Sequence, residues 1–524
     1  PIYATLKAAE EKLLAAHPAL RTHYKTKQLF TRLETFLKSG RPADALTVVE
    51  WLAERQLSGS QREQLVLHRA FAYYLLRENQ RARAYYRQFL RDYPTSTFVP
   101  AVLDRIGRLY LREGKFEAFL TVYDRLIREH PGSYYAASAM RLKGKEFELQ
   151  GNFQEALEEF DRFMASYGNN PLVADVLWHR GWCQYQLGQY QAALKTFDRL
   201  VRAYPKSSTK DETLYWAARA AEQLQQAAQA ADYYARVLQT GQYTYFGALS
   251  QDALARLSEA YPELALPQNM PEKKPLSLEP EITFATRQGR RHQQKALAFQ
   301  QLGLDSLAAE EFAAALDQEK ADQTMYLALA RFYSQAGMYH DLVRLMQRRF
   351  WAWIVRGDEA LPRIFWESVY PLSFPQIVAR YSSANGLDPL FVQALMRAES
   401  VFDPQAFSPA GARGLMQLMP ATGNRLARQL GLRIPSPEVY FRPEVNVLLG
   451  TTYLQELRQL FDDQLPPVIA SYNAGEERVR TWWKAMYADD VPAFIAMIPY
   501  QETKRYVQKV LWYYREYQRI YRGR

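Results

Sequence analysis

Residues 112–131, REGKFEAFLTVYDRLIREHP, align without a gap with 149–168, LQGNFQEALEEFDRFMASYG, and with 186–205, QLGQYQAALKTFDRLVRAYP. Gly114, Gly151 and Gly188 are spaced by 37 residues, as are Phe116, Phe153 and Tyr190, and Asp124, Asp161 and Asp198. Pro94, Pro131 and Pro205 keep the same register, with Gly168 in the remaining place. Each unit reads as helix, glycine turn, helix, proline stop. Glycine suits the left-handed residue that follows a helix, and proline cannot continue the second one. A single unit cannot bury its apolar face, so neighbours must stack into a solenoid. The fold class expected is therefore all-α, opening with a helical-repeat solenoid.

These units resemble tetratricopeptide repeats, with a period longer than the usual one of about 34. Looser copies at 66–94 and 214–240 extend the array over 1–261. Pro262, Pro267, Pro271, Pro275 and Pro280 follow, a density that forbids regular helix and predicts an extended strap or linker over 262–282. Helical pattern resumes over 283–370, where AFQQLGLDSLAAEEFAAAL reads as another repeat pair. YPLSFPQ interrupts it, and a different module is expected over 371–524.

Composition narrows the function classes. With 524 residues, two or more domains or a long repeat array are expected. Lys and Arg number 66 against 56 Asp and Glu, a net charge of +10 spread along the chain with no arginine-rich strip. Nucleic acid would need a focused patch, so an anionic polymer held by weak steering fits better. Cys183 is alone, which excludes an intramolecular disulfide and a cysteine metal cluster, and it reads as a small buried residue of the repeats. No apolar run reaches the roughly 18–20 residues of a membrane span. The chain opens PIYATLK, without an initiator Met or an apolar leader, and the expectation is a processed or trimmed chain whose signal peptide is not visible.

In the last module QIVARYSSANG reads as a helix closed by Gly386. Asp388 offers an N-cap and Pro389 the first position of the next helix, which runs to about Ser400. On it Val392, Leu395, Met396 and Glu399 share one face, while Arg397 points elsewhere. A carboxyl half-buried among apolar groups is pushed above its usual pKa, and a carboxylic acid still protonated near neutral pH can protonate a leaving oxygen. Without that burial it is an ordinary Glu at the edge of the stripe. Downstream, GLMQLMP sets the Gln417 amide between Met416 and Met419, a wall able to hold a ligand with polar edges and apolar faces, as sugars have.

Four blocks occur in order: ESVFDPQAFSPAGARGLMQLMPAT (399–422), NVLLGTTYL (446–454), SYNAGEERVRTWW (471–483) and IPYQETKRYVQKV (498–510). Together they are similar to the catalytic module of the soluble lytic transglycosylases, relatives of goose-type lysozyme. The resemblance implies a mostly α-helical, lysozyme-like domain with Glu399 as its single acid/base. It also implies Ser408, Gln417 and Met419 lining the sugar site, Tyr472 near the scissile sugar, Asn473 beside it, and Glu502 bordering and ordering the site. Three positions depart from the family: Lys504 where Arg is usual after ET, Gly423 where Ala is common, and Ser471 in SYNAG for the more usual AYNAG.

The same resemblance implies cleavage of the β-1,4 bond between N-acetylmuramic acid and N-acetylglucosamine in peptidoglycan, leaving a 1,6-anhydromuramoyl end. The sugar's own C6 hydroxyl then replaces a protein-positioned water, so a second carboxylate is not needed. Asp403 stands in the FDP turn, where Pro404 ends the helix, and is not placed as a nucleophile. All seven histidines lie at or before His340, so neither a Ser-His triad nor a His-ligated zinc can be built within the module. No cofactor and no metal are implied. The expected partners are peptidoglycan glycan strands, with cell-wall proteins as partners through the repeats, no nucleic acid and no membrane span, in a Gram-negative periplasm. Two rivals remain at this point: a hydrolytic muramidase, and a non-catalytic glycan-binding scaffold.

Overall fold

The computed structural model describes residues 24–264, 276, 282–356, 361–486 and 490–522. Among these residues the chain folds into 26 α-helices with no strand, only the isolated bridges of Arg413 with Phe407 and with Leu418. The all-α expectation holds. Two compact units form, one built from 24–148 and 152–183, the other from 149–151 and 184–522.

The repeat punctuation works as its chemistry dictates. Gly114, Gly151 and Gly188 sit at φ +69°, +78° and +72°, the left-handed region that a side chain resists. Helices Asn79–Asp92, Phe116–Glu129 and Tyr190–Ala203 each end two residues before Pro94, Pro131 and Pro205. Of the expected strap, Pro262 lies in a turn, and the other four prolines fall outside the described residues.

A second pair of positions on the 37-residue period carries the packing. Tyr123 lies on Gly107, and Phe160, 37 residues later, lies on Gly144, also 37 later. Both rings are fully buried. A Cβ at Gly144 would stand 2.5 Å from Phe160 Cε1, so only glycine lets the next helix approach this closely. The Tyr123 hydroxyl, carried into the same interface, donates to Asp104 Oδ1 at 2.8 Å.

In the second unit one apolar core runs from the helices of 323–369 into the C-terminal module. Met346, Phe350 and Trp366 share it with Phe391, Leu395, Val507 and Tyr517. The terminal helix, Gln501–Tyr521, crosses this core, and the repeat helices Lys210–Gln223 and Tyr245–Ala260 meet it through ion pairs. Lys504 pairs with Glu212 at 2.7 Å, and Arg515 grips both oxygens of Asp252 at 2.5 and 2.9 Å.

Gly144→Ala should therefore lower the stability of the first unit by about 1–3 kcal/mol, the cost of forcing an extra methyl into a packed core. Urea unfolding of the wild type and variant measures it, and an unchanged midpoint would contradict the ring-on-glycine packing.

Candidate functional site

The acid helix, Pro389–Ser400, begins where its sequence says it should. Asp388 Oδ1 accepts from Leu390 N at 3.0 Å, and Pro389 fills the first helical position. Val392, Leu395 and Met396 are completely buried, and Glu399 at the end of that stripe is partly buried. Arg397 points the other way. It is only 2% exposed, with its guanidinium over the rings of Tyr370 and Tyr513 at 4.2 and 4.6 Å, donating to the Val369 carbonyl.

Glu399 Oε1 accepts a hydrogen bond of 2.5 Å from the Tyr506 hydroxyl of the terminal helix. Lys509, one turn further on, donates to the Ala398 carbonyl at 3.0 Å. Burial pushes the Glu399 carboxyl up from its ordinary 4.5 to about 7. The Tyr506 bond and the Lys509 charge oppose that rise, and the Glu502 charge adds to it. Burial wins, so a substantial share of the group keeps its proton near neutral pH.

After Ser400 the chain turns sharply. Val401 and Phe402 hold φ of +51° and +64°, a conformation costing on the order of 1–3 kcal/mol for a side-chain-bearing residue. Ser400 Oγ, donating to Leu415 O at 2.7 Å, ties the start of the following loop to its far end. Ser408 closes a tight turn inside it, its hydroxyl accepting from Ala412 N at 3.0 Å. Gln417, itself at φ +48°, donates its amide to Ala406 O and Gly414 O at 3.1 and 2.9 Å. Both of its donors are thus taken up by the loop, which leaves its amide oxygen as the group able to meet a ligand. Met419, 42% exposed, stands at the loop's end.

Met416 is fixed at both of its backbone atoms. Its N–H donates to Asn446 Oδ1 at 2.7 Å, and its carbonyl accepts from the Tyr472 hydroxyl at 2.8 Å. Asn446, fully buried, also donates to Arg413 O and Tyr440 O at 2.9 and 2.7 Å. Tyr472 is close enough for its ionisation to be opposed by the Glu399 charge. Asn473 is exposed, with its Oδ1 accepting from Thr503 Oγ1 at 2.7 Å, and Glu502 is exposed on the adjoining turn. Asp403 caps its own turn, accepting from Gln405 N at 2.8 Å.

The expected residues thus fall into two groups. Glu399, Tyr472 and Glu502 form one electrostatic cluster, and Asn473 is bound to the residue after Glu502. Ser408 and Gln417 use the polar contacts described above to shape the loop. Tyr506 and Asn446 are additions. Tyr506 stands four residues after Glu502 on one helix, and that spacing was the available signal. Asn446 opens the NVLLGTTYL block but needs the folded loop to reveal its three bonds. The Gly423 departure has a cause too: a Cβ there would stand 2.5 Å from the Tyr440 ring.

A helical-repeat array followed by a lysozyme-like helical module, with a half-buried acid at its centre, is the class of protein that fold and site define. Residues 376–495 match the Transglycosylase SLT domain family, and 65–96, 101–133 and 141–208 match tetratricopeptide repeats. The chain therefore carries an SLT domain behind tetratricopeptide repeats. It is 38% identical over 149 residues to the soluble lytic murein transglycosylase of Escherichia coli K12, covering 28% of this chain and 23% of that protein. The Salmonella typhimurium protein of the same name is 33% identical over 178 residues, covering 33% of this chain and 27% of that one. The match thus spans about a quarter of the length of these curated relatives. An inactive mutant of the lytic transglycosylase Slt from Pseudomonas aeruginosa shares the fold, with a TM-score of 0.61 and 22% identity over 98% of this chain and 86% of that one.

Two measurements test the electrostatics directly. Tyr506→Phe removes a bond that favours the carboxylate, so the Glu399 titration should move above about 7 in a carbon-13 NMR experiment. A shift downward would reverse the assignment. The raised carboxyl also has a stability consequence with a definite sign. Its folded value lies above its ordinary one, so its contribution is fully present below 4.5 and is lost as pH rises through about 7. Glu399→Gln should therefore gain stability relative to the wild type as pH rises across that window, measured as the difference in Tm at successive pH values.

Proposed function

We propose that this protein is a peptidoglycan lytic transglycosylase, cleaving the β-1,4 bond between N-acetylmuramic acid and N-acetylglucosamine and leaving a 1,6-anhydromuramoyl end. The observation that carries the reading is the Glu399 carboxyl, raised to about 7 by burial and bonded to the Tyr506 hydroxyl. An acid with that pKa can protonate the glycosidic oxygen near neutral pH, and its conjugate base can then accept a proton. Glu399 takes both roles in turn: the proton goes to the leaving oxygen, and the carboxylate receives the C6 hydroxyl proton as that oxygen bonds to C1.

Among the described residues, neither Asp403 nor Glu502 is arranged as a second, nucleophilic carboxylate. Asp403 is engaged in its own turn, and exposed Glu502 acts on Glu399 through charge. An attached hydroxyl has a high effective concentration, which favours ring closure over attack by water. The sugar wall is assigned to Met419, the Gln417 amide oxygen, Tyr472 and Asn473, with Ser408 shaping the loop that presents them. The names of the curated relatives, murein transglycosylases, support the substrate class. The cell envelope, facing the periplasm, is the compartment in which such a substrate is met. Among the described residues no helix is long and apolar enough to cross a membrane.

Glu399→Gln should reduce turnover of purified sacculi by about 10²–10⁴-fold, the usual worth of general acid–base help, with glycan affinity within a few-fold. Mass spectrometry of the wild-type products should show muropeptides lighter by one water than hydrolysis would give. Full-mass products identify a hydrolase instead, and a Glu399→Gln enzyme turning over at the wild-type rate removes Glu399 from the chemistry.

A further inference from the structure

Lys504 lies on the second turn of the terminal helix, between Glu502 and Tyr506, and is 2% exposed. Its ammonium is 2.7 Å from Glu212, which is 9% exposed in the first turn of the Lys210–Gln223 helix. The two residues are 292 apart in sequence. Among the described residues the other ion pair between these elements is more open: the Arg515 and Asp252 side chains are 41% and 56% exposed. Exposed pairs are worth little, whereas breaking a buried one leaves a charge with no compensation. Of these contacts, the Glu212–Lys504 pair is therefore the one that constrains geometry.

What it constrains is the stretch of helix that contacts Glu399. Thr503 bonds Asn473, Tyr506 bonds Glu399, and Lys509 bonds the carbonyl next to it. A helix is stiff over two turns, so an anchor at Lys504 determines where the Tyr506 hydroxyl arrives. A cavity of about 290 Å³ opens beside the pair, lined by Ser208, Thr209, Gln508 and Trp512 among others. Asp211 and Tyr245 also face this space, and Tyr245 feels the Glu212 charge. A Lys504 side chain released from Glu212 has this cavity to move into, and the helix then loses that anchor.

We propose that Glu212 is a positioning residue for the Glu399 site: through its buried pair with Lys504, a repeat helix holds the terminal helix where Tyr506 meets the acid. The repeat array is thereby part of the active-site frame. This inference rests on Glu399 being the reacting acid.

The groups facing Glu399 are Tyr506, Lys509 and Glu502 from the terminal helix and Tyr472 from the Leu465–Ala474 helix. Of these, the Tyr506 hydroxyl is the group on the terminal helix that bonds the carboxyl directly, so a displaced terminal helix weakens that bond. The test uses the full chain with Glu212→Gln, Lys504→Met and the double variant Glu212→Leu/Lys504→Met. Each single variant that folds should lose about ten- to a hundred-fold in kcat on short soluble glycans, the scale of a 1 Å misplacement, with KM within a few-fold. The alkaline limb of its kcat profile should move to higher pH, because a weakened Tyr506 bond leaves Glu399 harder to ionise. The double variant, which fills the site with apolar groups, should recover towards the wild-type rate and limb. An unchanged kcat in a folded single variant overturns the proposal, as does a lower kcat with an unmoved limb. An inactive wild type would instead overturn the reading of the function itself.

Discussion

The hydroxyl of Tyr506 and the carboxyl of Glu399 meet at 2.5 Å, and the rest of the C-terminal module is arranged around that contact. Two tendencies oppose each other there. Burial favours the neutral acid, and the phenolic donor favours the anion. A value near 7 reflects both, so the geometry that keeps the Tyr506 hydroxyl on the carboxyl bears directly on the acid. Arg397 supplies part of the restraint. Two residues before Glu399 on the helix, it faces away from the acid and lodges between Tyr370 and Tyr513. Tyr513 belongs to the same helix as Tyr506, so one pair of helices is joined on one face by a cation between rings and on another by the acid.

The loop from Val401 to Met419 shows the same economy of restraint. Three side-chain-bearing residues, Val401, Phe402 and Gln417, hold positive φ. Such strain persists only where surrounding bonds over-determine the conformation. Ser400, Asn446 and Tyr472 provide them, and each anchors a backbone atom of Leu415 or Met416. The close approach of Met416 to the helix behind it depends on Gly450, where a Cβ would collide with the thioether. These bonds fix the loop that presents the Gln417 oxygen and the exposed Met419 side chain.

Much of this was legible in the sequence because it rests on local rules. The 37-residue period, the glycine turns and the proline stops each follow from backbone sterics, and the helices end where they predict. The acid helix was legible for the same reason: Asp388 and Pro389 mark its start, and the spacing of Val392, Leu395, Met396 and Glu399 marks its buried face. Contacts between distant segments were not legible. Tyr506 reaches Glu399 across 107 residues; its spacing from Glu502 gives the helix face it shares but not the partner it meets. Gln417 was readable as an amide between two methionines, but that Met416 is fully buried, and which Gln417 atoms the loop occupies, depend on where the fold places Gly450 and the Ala406 and Gly414 carbonyls. The rings of Tyr123 and Phe160 on Gly107 and Gly144 were a middle case, since the period shows the repetition and only packing explains it.

The repeat register also explains how an array of apolar interfaces ends on a folded module. Asp175 stands 37 residues before Glu212 and so occupies the same place in its repeat. Asp175 turns back to Arg141 of the preceding helix pair, at 2.6 Å, as one repeat to the next. Glu212 instead turns to Lys504. One acidic position in the first turn of a repeat helix thus serves either interface, depending on which cation stands opposite it. Apolar stacking is non-directional and would tolerate sliding of the last repeat against the terminal helix. A buried point charge tolerates much less, because a slide separates the Glu212 carboxylate from the Lys504 ammonium in a low-dielectric setting. Lysine at position 504 meets Glu212 as a compact point charge, at 2.7 Å, without the bidentate fork of arginine.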